Sequence, residues 1–350
     1  MKKIISLLLI LLAGAMLTAC GGSADKEDTL KAALCTGGPV NDGGWNQAAY
    51  EGLQGLKKLG WEVSNTENVA QDAQKQAIQA YADQGYNLII GHGFEWGDAL
   101  TEMAKEYPDI KFLQTGGSAG GLVENLTSAV FKPYEIGYVG GKIGAELAKD
   151  SKKFGFVGAA KIPSLLAEVD AIKAAVKESD PTIQVLDVYT GSWTDVAAGK
   201  KAAEQLINQG VNVILGIGDA CDAGAIQAID EAQAAGKDVK FIGWTGDFYE
   251  AYKKDFIITS CRQDVAGIIE MIAKEVKDDK FESRHFNPGI KDGILFLGTW
   301  SPAASAEVKA VGEKAFNDIK DGKITARQIF DILGKPASEF YDPQDIIFGK

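Results

Sequence analysis

Short apolar runs alternate along the chain with stretches whose apolar positions recur every three or four residues. Residues 30–35 form a near-continuous apolar run and read as a strand, while 45–59 place Ala49, Leu53, Leu56 and Leu59 on one helical face. The alternation continues as strand 62–64, helix 71–84, strand 88–90, helix 97–105 and strand 111–114. A second series comprises helix 135–149, strand 153–157, helix 163–179, strand 184–188, helix 195–208, strand 211–215, helix 223–235 and strands 239–242 and 257–260. Strands separated by helices require parallel βαβ units, hence an α/β fold. Runs such as Val211-Asn212-Val213-Ile214-Leu215 suit strands covered on both faces.

The pattern occurs twice, with a boundary near 128–132, so two doubly wound lobes are predicted to face each other across a cleft at their strand C-termini. Helix 265–276 and strand 293–297 are expected to cross back between the lobes. The first lobe is then 29–130 plus 262–284, and the second is 131–261 plus 285–350. A last helix is expected over 306–321, followed by a less regular tail over 328–350.

Residues 1–19 stand apart. Lys2 and Lys3 precede an apolar run over 4–12 and a small-residue exit, which is the layout of a secretory signal; the run is too short to span a bilayer. Leu17-Thr18-Ala19-Cys20 resembles a bacterial lipobox, which predicts cleavage before Cys20 and its lipidation. Residues 20–28 (CGGSADKED) read as a polar tether, so the mature protein is expected outside the cytoplasmic membrane, held by lipid.

Among the 350 residues, 48 Asp and Glu outweigh 36 Lys and Arg, a net charge of −12. Loss of the two leader lysines makes this −14. That balance argues against nucleic acid or an anionic membrane surface as partner, since both need a basic footprint. Two histidines leave no room for a His-rich metal site, and no Walker A sequence, CxxC pair or HExxH helix occurs. Cys35, Cys221 and Cys261 fall in or beside apolar segments and read as buried thiols, with a Cys221–Cys261 bridge left open.

Gly116-Gly117-Ser118-Ala119-Gly120 matches the nucleophile elbow of hydrolases, but no helix pattern follows it, and only His285 could serve as a downstream base. Gly216-Ile217-Gly218 opens like a dinucleotide fingerprint, yet Cys221 occupies the third glycine position. Both read better as tight turns, and neither an enzyme nor a cofactor is expected.

Aromatic and carboxylate side chains concentrate where strands end. Asp42, Trp45 and Asn46 follow the first strand, with Asp42 or Asn46 also able to cap the helix there; Gly93 and Phe94 follow the third. The second lobe offers Trp193, Asp219, Trp244 and Asp247. Flat aromatic walls with a few acceptors suit a flat heterocycle bearing N–H donors. A sugar or an amino-acid derivative on the same fold is the alternative ligand class, and sensing is the alternative to transport.

Several stretches resemble the basic membrane protein family of bacterial lipoproteins, which are substrate-binding components of ABC importers and include purine nucleoside receptors. They are 41–53 (NDGGWNQAAYEGL), 88–94 (LIIGHGF), 131–144, 154–163 (FGFVGAAKIP), 191–210 (GSWTDVAAGKKAAEQLINQG), 241–247 and 258–260. The resemblance implies a type I periplasmic-binding-protein fold with three hinge crossings and an ABC permease as partner to a monomeric receptor. It also implies a purine sandwiched between Trp45 and Trp193. Thr245 stands where the family has a ribose-binding aspartate, and Gln263 where it has a lysine. An aspartate expected near 115–116 is missing. These departures favour a free purine base and make Asp219 the candidate reader of its edge.

Overall fold

A computed structural model describes residues 29–334; the leader, Cys20, the tether to residue 28 and the tail from 335 lie outside the described residues. The first half builds β1 (Lys31–Thr36), α1 (Trp45–Lys58), β2 (Glu62–Thr66), α2 (Gln74–Ala82), β3 (Leu88–His92), α3 (Gly97–Glu106), β4 (Lys111–Thr115) and β5 (Leu126–Ala129). The second builds α4 (Pro133–Leu147), β6 (Lys153–Gly158), α5 (Pro163–Ser179), β7 (Gln184–Tyr189), α6 (Val196–Asn208), β8 (Val213–Ile217), α7 (Ala220–Ala234), β9 (Lys240–Thr245), α8 (Phe248–Tyr252) and β10 (Ile257–Gln263). Then follow α9 (Val265–Lys277), β11 (His285–Phe286), β12 (Leu295–Leu297), α10 (Ala306–Lys320) and α11 (Ala326–Leu333).

Two six-stranded sheets result, ordered β2-β1-β3-β4-β5-β11 and β7-β6-β8-β9-β10-β12. All pairings are parallel except β10 with β12. The shared order places a topological switch between β1 and β3 in one lobe and between β6 and β8 in the other, so each lobe opens a crevice at its strand C-termini. Central strands such as β3 and β8 are buried along their whole length, as sheets covered by helices on both faces must be.

The chain passes between lobes after β5, after β10 and after β11. Helix α9, capped by Asp264, returns to the first lobe and lies along α1, where a methyl group on Gly52 would come within 2.8 Å of the Ala266 Cα. Residues 262–263 were expected in the first lobe, but β10 continues its pairing with β9 to Arg262 and with β12 to Gln263. Conversely, His285–Phe286 extends the first sheet by pairing with β5. The Lys132 N–H then donates to the Pro288 carbonyl, so the first and third crossings run side by side. The tail is regular as far as 333: Thr325 and Gln328 form a capping box, and Phe330 packs beside Tyr134 with ring centroids 5.9 Å apart. No helix among the described residues is long and apolar enough to cross a membrane.

Candidate functional site

Between the lobes lies a cavity of about 540 Å³, bounded by the loops after the central strands and by the crossings. Its first-lobe wall comes from Gly37, Gly38, Trp45, Asn46, His92, Gly93, Phe94, Glu95 and Gly116. The second lobe contributes Ser164, Leu165 and Glu168 of α5, then Ser192, Trp193, Thr194, Ile217, Asp219, Trp244 and Thr245. Val130, Phe131, Pro133 and Gln263 supply the hinge side.

Trp45 is fixed before any ligand arrives. Its indole stacks on His92 with centroids 4.2 Å apart and planes at 23°, and meets Phe131 edge-on at 6.0 Å. His92 Nε2 lies 2.9 Å from the Trp45 carbonyl oxygen, which can only accept, so Nε2 carries the proton and Nδ1 accepts from the Thr115 hydroxyl. Burial holds the imidazole neutral by lowering its pKa to about 3. Gly116, at φ +78°, lets the indole edge approach the backbone: a methyl there would lie 2.8 Å from Trp45 Cζ2.

Across the cavity, Trp193 is half-buried in the loop after β7 and Trp244 is 6% exposed at the end of β9. Phe94, 54% exposed, stands at the rim. Two lining residues hold positive φ without being glycine, Asp219 at +51° and Thr245 at +62°. Such conformations cost about 1–3 kcal/mol each and gather at functional sites. The lobes touch at the mouth. A methyl on Gly44 would lie 3.3 Å from an Asp219 carboxyl oxygen, and one on Gly246 2.6 Å from the Gly43 carbonyl oxygen.

Eight of the ten residues expected at the site from sequence line this cavity: Trp45, Asn46, Gly93, Phe94, Trp193, Asp219, Trp244 and Gln263. Asp42 and Asp247 do not. Asp42 spends its carboxylate on the first turn of α1, accepting from the Gly44, Asn46 and Gln47 N–H groups and from Asn46 Nδ2. Asp247 caps α8 through the Glu250 N–H and takes both the N–H and the hydroxyl of Thr299. His92, Glu95, Phe131 and Glu168 went unassigned from sequence. Glu168 had a signal: it interrupts the stripe Leu165, Ile172, Ala175 on α5 with a charge.

The lining carries three carboxyls and, among its described residues, no Lys or Arg. Burial pushes Glu95 upward, and burial together with nearby carboxylates pushes Asp219 and Glu168 well above the ordinary range. Such a surface offers oxygens for hydrogen bonding and holds no cation to balance an anion. Ser118 is exposed in a loop, and His285 Nδ1 pairs with Ser128, not with Ser118. Cys35, Cys221 and Cys261 are free and buried; Cys221 Sγ donates to the Ser192 carbonyl, so the bridge left open from sequence does not form.

The family model described as ABC transporter substrate-binding protein, PnrA-like, matches residues 29–327. The chain belongs to this Bmp family. A Lactococcus lactis relative named ABC transporter nucleoside-binding protein BmpA is 31% identical over 351 residues, covering 93% of this chain and 98% of its own. A Brucella abortus protein named purine-binding protein is 27% identical, covering 87% and 85%. The solved structure of a transcriptional activator of the comK gene from Bacillus halodurans superposes with a TM-score of 0.70 at 26% identity, covering 84% of this chain and 99% of that one. The fold is the type I periplasmic-binding-protein fold, and the family model is that of an ABC transporter substrate-binding protein.

Proposed function

We propose that this Bmp protein binds a purine, as free base or nucleoside, between its lobes and hands it to an ABC permease while tethered to the membrane by lipid on Cys20. The observation that carries this reading is one cavity bringing Trp45 and Trp193 together from opposite lobes, above acceptor groups with no cation among them. Two indoles stack on a planar ring from both faces, and carboxyls and amides take its edge N–H groups. A sugar would stack on one ring and ask for more amide and guanidinium donors than this lining offers.

Closure follows from the contacts at the mouth. A ligand touching both walls binds the closed form better than the open one, so it shifts the population towards closure. Asp219 acts at that mouth, set against the Gly44 backbone of the other lobe while lining the cavity within reach of the ligand. A melting-temperature screen of adenine, guanine, hypoxanthine, xanthine and their nucleosides, with ribose and glucose as controls, tests the reading. Stabilisation by at least one purine and by neither sugar is the expected result. Stabilisation by a sugar alone would refute it.

A further inference from the structure

The loop over 190–195, which carries Trp193 between β7 and α6, is held from the start of α7. Cys221 Sγ lies 3.0 Å from the Ser192 carbonyl oxygen, 3.1 Å from that of Asp195 and 3.6 Å from the Thr190 hydroxyl. One residue earlier, the Ala220 N–H donates to the Trp193 carbonyl at 3.1 Å. The two peptide units flanking the Trp193 Cα, those of the Ser192 and Trp193 carbonyls, are therefore both fastened to residues 220–221. Because peptide units are planar, their orientations set φ and ψ of Trp193, and with them the direction in which the indole leaves the backbone. The base beneath is rigid. A methyl on Gly199 of α6 would run into the Cys221 carbonyl, and one on Gly224 of α7 into the Val196 carbonyl, so the two helices meet backbone to backbone. Trp45 has His92 stacked on its ring, whereas among the described residues no aromatic ring stacks on Trp193. Its aim has to come from its backbone.

We propose that Cys221 is the positioning residue of the second indole, its thiol proton shared between the Ser192 and Asp195 carbonyls so that Trp193 is presented to the ligand face that Trp45 leaves uncovered. The thiol does not line the cavity and acts only through Trp193. The inference rests on the purine reading above for its ligand and adds the residue that prepares one half of the sandwich. Neither carbonyl depends on the thiol alone. Ser192 also accepts from the Thr190 hydroxyl at 2.7 Å, and Asp195 from the Gly199 N–H at 3.1 Å. Removing the thiol therefore leaves no buried acceptor without a donor, and the cost falls on the preset direction of the ring instead of on the fold.

The test is isothermal titration of the mature protein in detergent with the tightest purine of the melting screen. Cys221→Ala and Cys221→Ser are each compared with the parent, in the presence of Trp193 and in a Trp193→Ala background. With Trp193 in place, Cys221→Ala should weaken binding about threefold or more, within the range of one lost hydrogen bond. In the Trp193→Ala background the same change should alter Kd by less than about 1.5-fold, since no ring is left to aim. Cys221→Ser keeps a donor on the same Cβ and should recover most of the loss. Amide hydrogen exchange of the ligand-free protein supplies a readout in which no ligand takes part: Cys221→Ala should exchange faster across 190–196 and not across 41–47. An unchanged Kd, equal losses in both backgrounds, or unchanged exchange in the loop would overturn the inference. An alanine variant that fails to fold would overturn it as well, by making the thiol a prop of the fold and not of the indole. Should no purine bind, the purine reading falls by itself, and exchange across 190–196 decides the role of Cys221 alone.

Discussion

Truncating Trp45 to alanine isolates what one indole contributes. The backbone contact of this residue, its carbonyl oxygen accepting from His92 Nε2, survives the substitution, so only the ring is lost. That ring has one face on His92 and lines the cavity. Aromatic stacking on a base contributes about 1–3 kcal/mol by alanine substitution, or roughly 5- to 150-fold in Kd. Part of the loss comes from His92, whose covering ring disappears. Trp45→Phe separates the two effects, since it restores a stacking face with less area and should recover most of the affinity. The assay is calorimetric titration with the best purine from the melting screen, with melting curves as the control for folding. Trp45→Ala binding within about twofold of the parent protein would refute the stacking argument.

Other outcomes follow from the same geometry. Trp193→Ala should weaken binding by a similar factor, and in the double variant the losses should not add if both rings grip one ligand, as a double-mutant cycle will show. Nucleoside monophosphates should bind far more weakly than the parent nucleosides, because a phosphate would lose its hydration in a lining that holds no cation to replace it; equal affinity in titration contradicts this. Asp222, buried and raised to about 8 from 3.8, keeps its proton in the folded state between those values while the unfolded chain loses it. Stability of the ligand-free protein therefore falls as pH rises from about 4 to about 8. Asp222→Asn should flatten the pH dependence of the melting temperature, and an unchanged slope would reject that assignment. Burial pushes the Cys35 thiol up to about 12 and raises Cys221 and Cys261, so a thiol reagent should find none of the three in the native mature protein and all three after denaturation. A fourth reactive thiol after denaturation would contradict lipidation of Cys20.

The alternation of apolar runs and helical periods made both sheets legible, because strands covered on two faces leave little else in the sequence to confuse them with. The strand ends Trp45, Trp193 and Asp219 were legible for the same reason: the switch-point rule says where a crevice opens before any side chain is placed. Asp42 and Asp247 mark where that reasoning stopped. A carboxylate beside a helix start serves as a ligand acceptor or as a cap, and only the hydrogen bonds to Gly44, Gln47 and Glu250 distinguish the two. The lobe boundaries shifted by two residues each since β10 and β11 extend as far as their partners allow, which depends on neighbours distant in sequence. His92 and Phe131 were illegible as site residues because their role is to support Trp45, a relation between β3, α1 and a crossing. Glu168 was visible as a break in an apolar stripe, but its meaning depended on finding a cavity beside it.

The most direct measurement is a crystal structure of the mature protein with its tightest purine bound. The ring should lie between Trp45 and Trp193, in contact with both, with the lobes closed over it. A ligand held elsewhere, or a ring touching neither indole, would contradict the account.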